Sequence, residues 1–306
     1  MVASPDLQIS VLIATRNRAA LLGKLLRSLD TTRAAAAVGS EIIVVDNGST
    51  DVTPELLEHW RAEDSGHVHV REPQPGKSRA LNRALRVARG TLLAFVDDDE
   101  AVGTAWMAEM AAFFATHPYY DAAIGRVLAP PDVRDREVLT RLAAYRTIAL
   151  FDHGDTVRDE QMLHGANMVL RRRVFDQIGG FNEALGPGAT GGCEDTELGL
   201  RVIRAGMRIG YMPRVQVFHV IEPERLTARY FHDFELRVAR SRFAMDPAAA
   251  GRRALSHAIE AGIGWMWWSL LRHRIRRERA RGRFIRHREI LRLHCARRAE
   301  SAPARQ

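Results

Sequence analysis

Leu92-Leu93-Ala94-Phe95-Val96-Asp97-Asp98-Asp99-Glu100 decides how the rest of this chain is read. An apolar run passes without a break into four acids. A short continuous apolar run of this kind reads as a strand buried on both faces, as in parallel sheets. The acids then stand at its carboxyl end, where open α/β sheets bind their ligands. Four clustered carboxylates repel one another unless a cation neutralises them, and Mg²⁺ is commonly held by one or two carboxylates together with substrate phosphates. The chemical reading is a metal site for a phosphate-bearing donor. The plain alternative is a solvated acidic turn.

Working outward from this strand, apolar runs at 9–14, 41–45 and 68–71 alternate with helical patterns at 19–29, 52–61, 78–87 and 104–115. That alternation marks βα units around a parallel sheet. Further strands are predicted at 122–128, 168–170, 208–212 and 215–219, with helices at 172–178 and 194–205. The span 132–163 is polar and without clear pattern, and 186–192 (Gly-Pro-Gly-Ala-Thr-Gly-Gly) predicts a mobile loop. From Pro223 onward the pattern is helical. The expected fold is α/β, a mostly parallel central sheet flanked by helices with a C-terminal helical extension.

The composition narrows the class. The 306 residues include two cysteines, Cys193 and Cys295, far apart in sequence, so a disulfide framework is not implied and a reducing compartment fits. The opening residues do not read as a signal peptide, and the absence of an apolar run of 18 residues argues against a transmembrane helix. The net charge of +8 is uneven: residues 251–306 hold 15 Arg against 4 Glu, a balance of +11, which leaves −3 for the rest. Basicity belongs to the tail.

Three further segments carry candidate chemistry. Asp46-Asn47-Gly48-Ser49-Thr50-Asp51 follows a strand and offers two carboxylates to a base or ribose, or else a turn and the cap of the next helix, from Ser49 or Asp51. Pro75-Gly76-Lys77-Ser78-Arg79 places two cations at a helix start that favours anions, although it lacks the spaced glycine of a P-loop. Glu194-Asp195 opens a helix after the glycine-rich loop, either as ordinary helix-start chemistry or with a general base. His219 ends a strand, where a lone histidine is more often structural than a ligand.

In their order these segments resemble the family 2 glycosyltransferases. The resemblance spans about residues 8–222 and rests on Ser10–Arg18, Val44–Asp51, Phe95–Asp99, Gly165-Ala166-Asn167-Met168, Ile178–Glu183 and Glu194–Leu198. It implies a GT-A fold, a nucleotide-sugar donor, a Mg²⁺ or Mn²⁺ ion and inversion at the anomeric carbon. By resemblance, Asp46 contacts the nucleobase with Thr15, Arg16 and Asp51 nearby, and Arg79 lies beside the nucleotide. Asp97 and Asp99 match the two acids of the DXD element. Asp97 and Asp98 fall to the nucleotide sugar, with Asp97 at the ribose or metal, and Asp99 falls to the metal. His219 matches a histidine that helps hold the metal or diphosphate, Asp195 matches the catalytic base, and Glu100 is an acid without an assigned role. Residues 1–222 are then expected to form the catalytic domain, divided into a nucleotide-binding half to about 125 and an acceptor half beyond it, and 223–306 a basic extension.

The implied activity is transfer to an acceptor hydroxyl in polysaccharide, cell-envelope or glycolipid synthesis, with a saccharide or lipid-linked acceptor. A nucleotidyltransferase on a similar sheet would use the acids but not Glu194-Asp195. A non-catalytic nucleotide-sugar-binding protein would not need Asp97, Asp99, Asp195 and His219 together. Nucleic acid is not expected as a partner, because the −3 balance disfavours a basic surface and Trp265, Trp267 and Trp268 cluster instead of interleaving with arginines. Those tryptophans beside Arg272–Arg283 suit an anionic membrane surface, or else they pack on the domain while the arginines are solvated. The expected location is cytoplasmic, peripheral at the inner face of the membrane.

Overall fold

The computed structural model describes residues 7–300. They gather into two compact units. The first runs to Pro130 and adds Ala149–Glu183 and Glu194–Val220; the second takes Pro131–Ile148, Ala184–Cys193 and the chain from Ile221. The division by contact therefore departs from a linear boundary at 222, since two middle segments join the C-terminal helices.

In chain order the elements to residue 145 are β1 (Leu7–Thr15), α1 (Ala19–Ala35), β2 (Gly39–Asp46), α2 (Thr53–Glu63), β3 (His67–Arg71), α3 (Lys77–Val87), β4 (Leu92–Val96), β5 (Glu100–Val102), α4 (Trp106–Thr116), β6 (Ala122–Leu128) and α5 (Arg136–Tyr145). Then come β7 (Arg158–Glu160), β8 (Asn167–Arg171), α6 (Arg172–Ile178), α7 (Glu194–Arg204) and β9 (Ile209–His219). The strands of the first unit form one sheet in the order β3-β2-β1-β4-β8-β6-β9-β5, with β7 beside β9. From β3 to β4 all pairs are parallel, as the βα alternation requires, while β8 runs antiparallel to both β4 and β6.

Both faces of the sheet are covered, which explains the continuous apolar runs. Ile42 and Val44 turn toward α1, α2 and α4, with Leu25, Leu57 and Met110. Their neighbours Ile43 and Val45 turn the other way, with Leu81 of α3 and Leu198 of α7. Each such side chain removed from water contributes roughly 1.5–3 kcal/mol.

The register aligns the strand ends. Thr15 pairs with Asp46 across β1 and β2, and Leu12 with Phe95 across β1 and β4, so the loops after β1, β2 and β4 open at the same edge. Two expectations change. The separate strands at 208–212 and 215–219 are one strand, β9, because Pro213–Val215 bulge while Gly125 and Arg126 keep pairing on either side. The patternless span 132–163 contains α5, whose first N–H groups at Glu137 and Val138 are capped by Asp135.

Asn167 pins this bulge. Its amide donates to the carbonyls of Arg126 and Val215, each at 2.9 Å, and its Oδ1 accepts from Trp106 Nε1 at 3.1 Å. Gly125 lies so close that a Cβ there would stand 2.3 Å from the Val215 carbonyl oxygen. Asn167→Leu leaves two buried polar groups, Trp106 Nε1 and the Val215 carbonyl, without this partner at about 1–3 kcal/mol each, and takes a third bond from the part-buried Arg126 carbonyl. We expect a loss of roughly 3 kcal/mol or more in urea unfolding; a variant as stable as wild type would show the pin to be dispensable.

The second unit is helical. After a 3₁₀ turn (Pro223–Leu226) it contains α8 (Ala228–Met245), α9 (Pro247–Arg252), α10 (Ala254–Leu270) and α11 (Arg274–Glu300). Ala239, Ala254 and Ile290 form its centre, and Tyr145 of α5 stacks on Phe231 at 4.6 Å. Many tail arginines are engaged rather than merely solvated: Arg286 pairs with Glu235, Arg292 with Glu289 and Arg274 with Glu137. The glycine-rich loop is not a loose strand of chain. Gly191 N donates to Gly186 O at 2.8 Å, and Thr190 meets Ser241 of α8 at 3.0 Å.

Candidate active site

The first βα loop and the second are laced together at the carboxyl edge. Asn17 N donates to Ser49 Oγ at 2.9 Å, and Thr50 N donates to Asn17 Oδ1 at 2.7 Å. Asp46, at the end of β2, accepts from Ser49 N through Oδ1 at 2.9 Å, while its Oδ2 is buried without a hydrogen-bond partner. Asn47 reaches the other way. Its amide donates to the carbonyls of Glu72 and Gln74, and its Oδ1 accepts from Gly76 N at 2.8 Å. This fixes the start of α3, where Gly76 adopts φ 139°, a backbone that side chains disfavour.

The acids after β4 are not left to repel one another. Thr15 Oγ1 donates to Asp98 at 2.8 Å. Arg18, at the start of α1, meets Asp98 at 3.3 Å and Asp99 at 2.8 Å. Burial pushes Asp98 up to about 7 against the pull of Arg18. Glu100 is fully buried and accepts from Asp97 N at 3.0 Å, so it braces the turn from behind. Burial and then the nearby Asp97 and Asp99 push its carboxyl well above the ordinary range. A cation is thus supplied by the chain itself, which the acid run alone did not disclose.

Lys77, the first residue of α3, is the second such cation. Its Nζ lies 2.5 Å from Asp97 Oδ1 and 3.3 Å from Glu194 Oε1 at the start of α7. Burial opposes its charge, but Asp97, Glu194 and Asp195 outweigh that and hold the ammonium well above the lysine range. Burial likewise raises Glu194, with Lys77 opposing. Asp195 is held by backbone donors: Gly165 N to Oδ2 at 2.8 Å and Thr196 N to Oδ1 at 2.6 Å. Asp97, Lys77, Gly165, Glu194 and Asp195 line one small cavity with Leu81 and Phe181.

His219 ends β9 opposite Glu100. Its Nδ1 donates to the Val220 carbonyl at 2.9 Å, and its Nε2 lies 3.7 Å from Asp99 Oδ1. Asp99 and His219 thus face one another. Among the described residues no cluster of three or more His, Cys, Asp or Glu is placed to hold a metal ion. A carboxylate and an imidazole with substrate phosphates completing the shell still fit the way Mg²⁺ or Mn²⁺ binds in phosphate sites.

The remaining expected residues sit at the rim. Arg16 is exposed after β1. Asp51 is exposed and its Oδ1 accepts from Thr53 N at 3.0 Å, the plain helix-start role. Arg79 pairs with Gln74 and lies 3.5 Å from Glu183. Sequence reasoning gave Arg18 no role and named Lys77 only as one of two cations at a helix start that favours anions. The signal for both was a cation at the amino end of a helix that faces the acid run.

A mostly parallel sheet with acids at the ends of β2 and β4, a second acidic element at the start of α7 and a histidine ending β9 defines a GT-A fold. The chain belongs to glycosyl transferase family 2, whose profile matches residues 10–179. It is similar to the O-antigen biosynthesis protein RfbC of Myxococcus xanthus, 27% identical over 227 residues, which are 69% of this chain and 17% of that protein. It is also similar to the glycosyltransferase AglD of Haloferax volcanii, 29% identical over 213 residues, 67% of this chain and 32% of that one. The chain therefore spans no more than a third of these two relatives. Among solved structures, the mannosyltransferase PcManGT from Pyrobaculum calidifontis in complex with GDP-Man and Mn²⁺ superposes with a TM-score of 0.55 at 20% identity, covering 98% of this chain and 76% of that one. TarS of S. aureus in complex with UDP does so at 0.55 and 17%, covering 97% and 93%.

Proposed function

We propose that the chain moves a sugar from a nucleoside diphosphate sugar to an acceptor hydroxyl with inversion, in the synthesis of a cell-envelope polysaccharide or glycolipid. The observation that carries this reading is the meeting of Asp97, Lys77, Glu194 and Asp195 around one cavity at the sheet's carboxyl edge. The relatives support the setting: one is an O-antigen biosynthesis protein, and others from Mycobacterium are glycosyltransferases of PGL/p-HBAD biosynthesis.

Asp46 Oδ2, buried and without a partner, is suited to accept the N3–H of uracil or the N1–H of guanine. Asp99 and His219 would hold a divalent cation on the diphosphate, which would stabilise the negative charge of the leaving group as a Lewis acid. Arg18 keeps the Asp98–Asp99 pair in place by ion pairing. Asp195 is fixed by Gly165 N and Thr196 N and takes the proton of the acceptor hydroxyl as that oxygen attacks the anomeric carbon. Attack from the face opposite the leaving group inverts that carbon. A lipid-linked acceptor would bring the chain to a membrane surface, peripherally at its inner face. The parts of the chain follow the same reading, with the donor on the loops after β1, β2 and β4, and the acceptor toward α7.

The test is a screen of UDP-, GDP- and dTDP-sugars for release of nucleoside diphosphate with and without Mn²⁺ or Mg²⁺. Release from one donor class, dependent on metal and increased by membrane lipid extract, is expected. Release of pyrophosphate from a nucleoside triphosphate, without diphosphate from any sugar donor, would replace this reading with nucleotidyl transfer.

A further inference from the structure

Helix α10 is turned inside out. It packs on α11 through small residues: Ala254, Ala258 and Ala261 are buried, and Gly262 faces Phe284 so closely that a Cβ would stand 3.4 Å from its ring. The large apolar residues point the other way. Leu255, Ile259, Ile263, Met266, Trp267 and Leu270 are between 55% and 78% exposed. Their spacing of four, four, three, one and three places them on one stripe, about 120° wide and about 22 Å long at 1.5 Å per residue. Helices on a protein surface normally bury that stripe against the core. A contiguous exposed one marks a docking surface.

We propose that this face of α10 inserts into the interfacial layer of an anionic lipid membrane, with the helix lying in the plane of the surface. Charge selects the occupant. Arg252 and Arg253 stand exposed immediately before the helix and Arg272 two residues past its end, against one exposed acid within it, Glu260, and residues 251–306 carry a balance of +11. A second copy seated on the same stripe would bring like charges together at the helix ends, whereas anionic headgroups complement them. Among the described residues no helix is long and apolar enough to cross a membrane, so the stripe lies on the surface and does not span it. Trp267 sits on the stripe with an apolar body and a polar N–H, the residue type that favours the headgroup level. Trp265 and Trp268 are half-buried, Trp265 near Phe284 at 5.9 Å and Trp268 under Arg276 at 4.6 Å. This surface deepens the peripheral-membrane reading above by making apolar insertion, and not arginine count, the main attachment. It does not depend on the transfer reaction.

The experiment uses the full chain with sedimented vesicles of phosphatidylcholine alone or mixed with phosphatidylglycerol, at low and high salt. The expected result is binding to the mixed vesicles, with a remainder that survives high salt, since screening weakens only the charged part. The variant Ile259→Ser with Ile263→Ser and Trp267→Ser should bind at least about tenfold more weakly at both salts, because each large apolar side chain shifts a partition constant by about that factor. Its melting temperature and its UDP affinity should stay at wild-type values, which separates a failure of docking from a failure of the transferase reading. Arg252→Gln with Arg253→Gln and Arg272→Gln should remove only the salt-sensitive part. Wild-type binding by the serine variant would overturn insertion and leave electrostatic docking. Failure of the wild type to bind either vesicle, together with a dimer that the serine variant abolishes, would assign the stripe to a second copy.

Discussion

Asp195→Asn lowers sugar transfer by about 10²–10⁴-fold, the range for loss of a general base. The fall appears in kcat, and the affinity for the nucleoside diphosphate stays within a few-fold of wild type. A loss confined in this way marks an interaction made in the transition state. Asparagine does not copy the site completely. The two carboxylate oxygens accept from Gly165 N and Thr196 N, and an amide can satisfy only one of these donors with oxygen. A drop of about 1 kcal/mol in stability is therefore expected alongside the kinetic effect. Steady-state transfer and a melting curve on the same preparation separate the two. Transfer at the wild-type rate would remove Asp195 from the base role, and Glu194, paired with Lys77, would be examined next.

Asp99→Ala removes the metal-dependent part of donor binding. Titration of UDP with Mn²⁺ should show affinity lower by at least about 100-fold, more than the 10–100-fold typical when an outer-shell partner of a metal is lost. The same titration without metal should show no loss, because the substitution removes a negative carboxylate from the phosphate side of the site while Arg18 keeps its 3.3 Å pair with Asp98. Equal affinity for UDP and Mn²⁺ in variant and wild type would refute the assignment of Asp99 to the ion. A loss in both titrations would instead show Asp99 to be needed for the shape of the turn that Glu100 braces.

The core of the fold was legible because it repeats. Strands covered on both faces leave unbroken apolar runs, and the helices between them keep their period, so β1 to β4 and α1 to α3 could be read one by one. The second half of the sheet was harder. β5 and β7 have three residues each, too few to show a period, and the Pro213 bulge makes one strand look like two. Asp46, Asp97, Asp99 and Asp195 stood out as candidates because carboxylates at strand ends and helix starts are conspicuous. Arg18 was given no role, and the pairing of Lys77 with acids was not read, for the converse reason. A cation at the start of a helix is unremarkable until the fold shows which acids it faces, and those lie 80 and 20 residues away. Asn167 stood in a recognised segment, yet only the bulge in β9 explains why that position must donate twice and accept once.

Lys77 shares one ammonium between the end of β4 and the start of α7. Whatever draws that charge toward Asp97 weakens its hold on Glu194, and the reverse is equally true. Two ligands that touch these two acids cannot then bind independently. Each changes the affinity of the other by the same factor, because coupling between sites is reciprocal. A neutral residue at position 77 should therefore loosen that coupling and leave the affinity at either acid less dependent on what occupies the other.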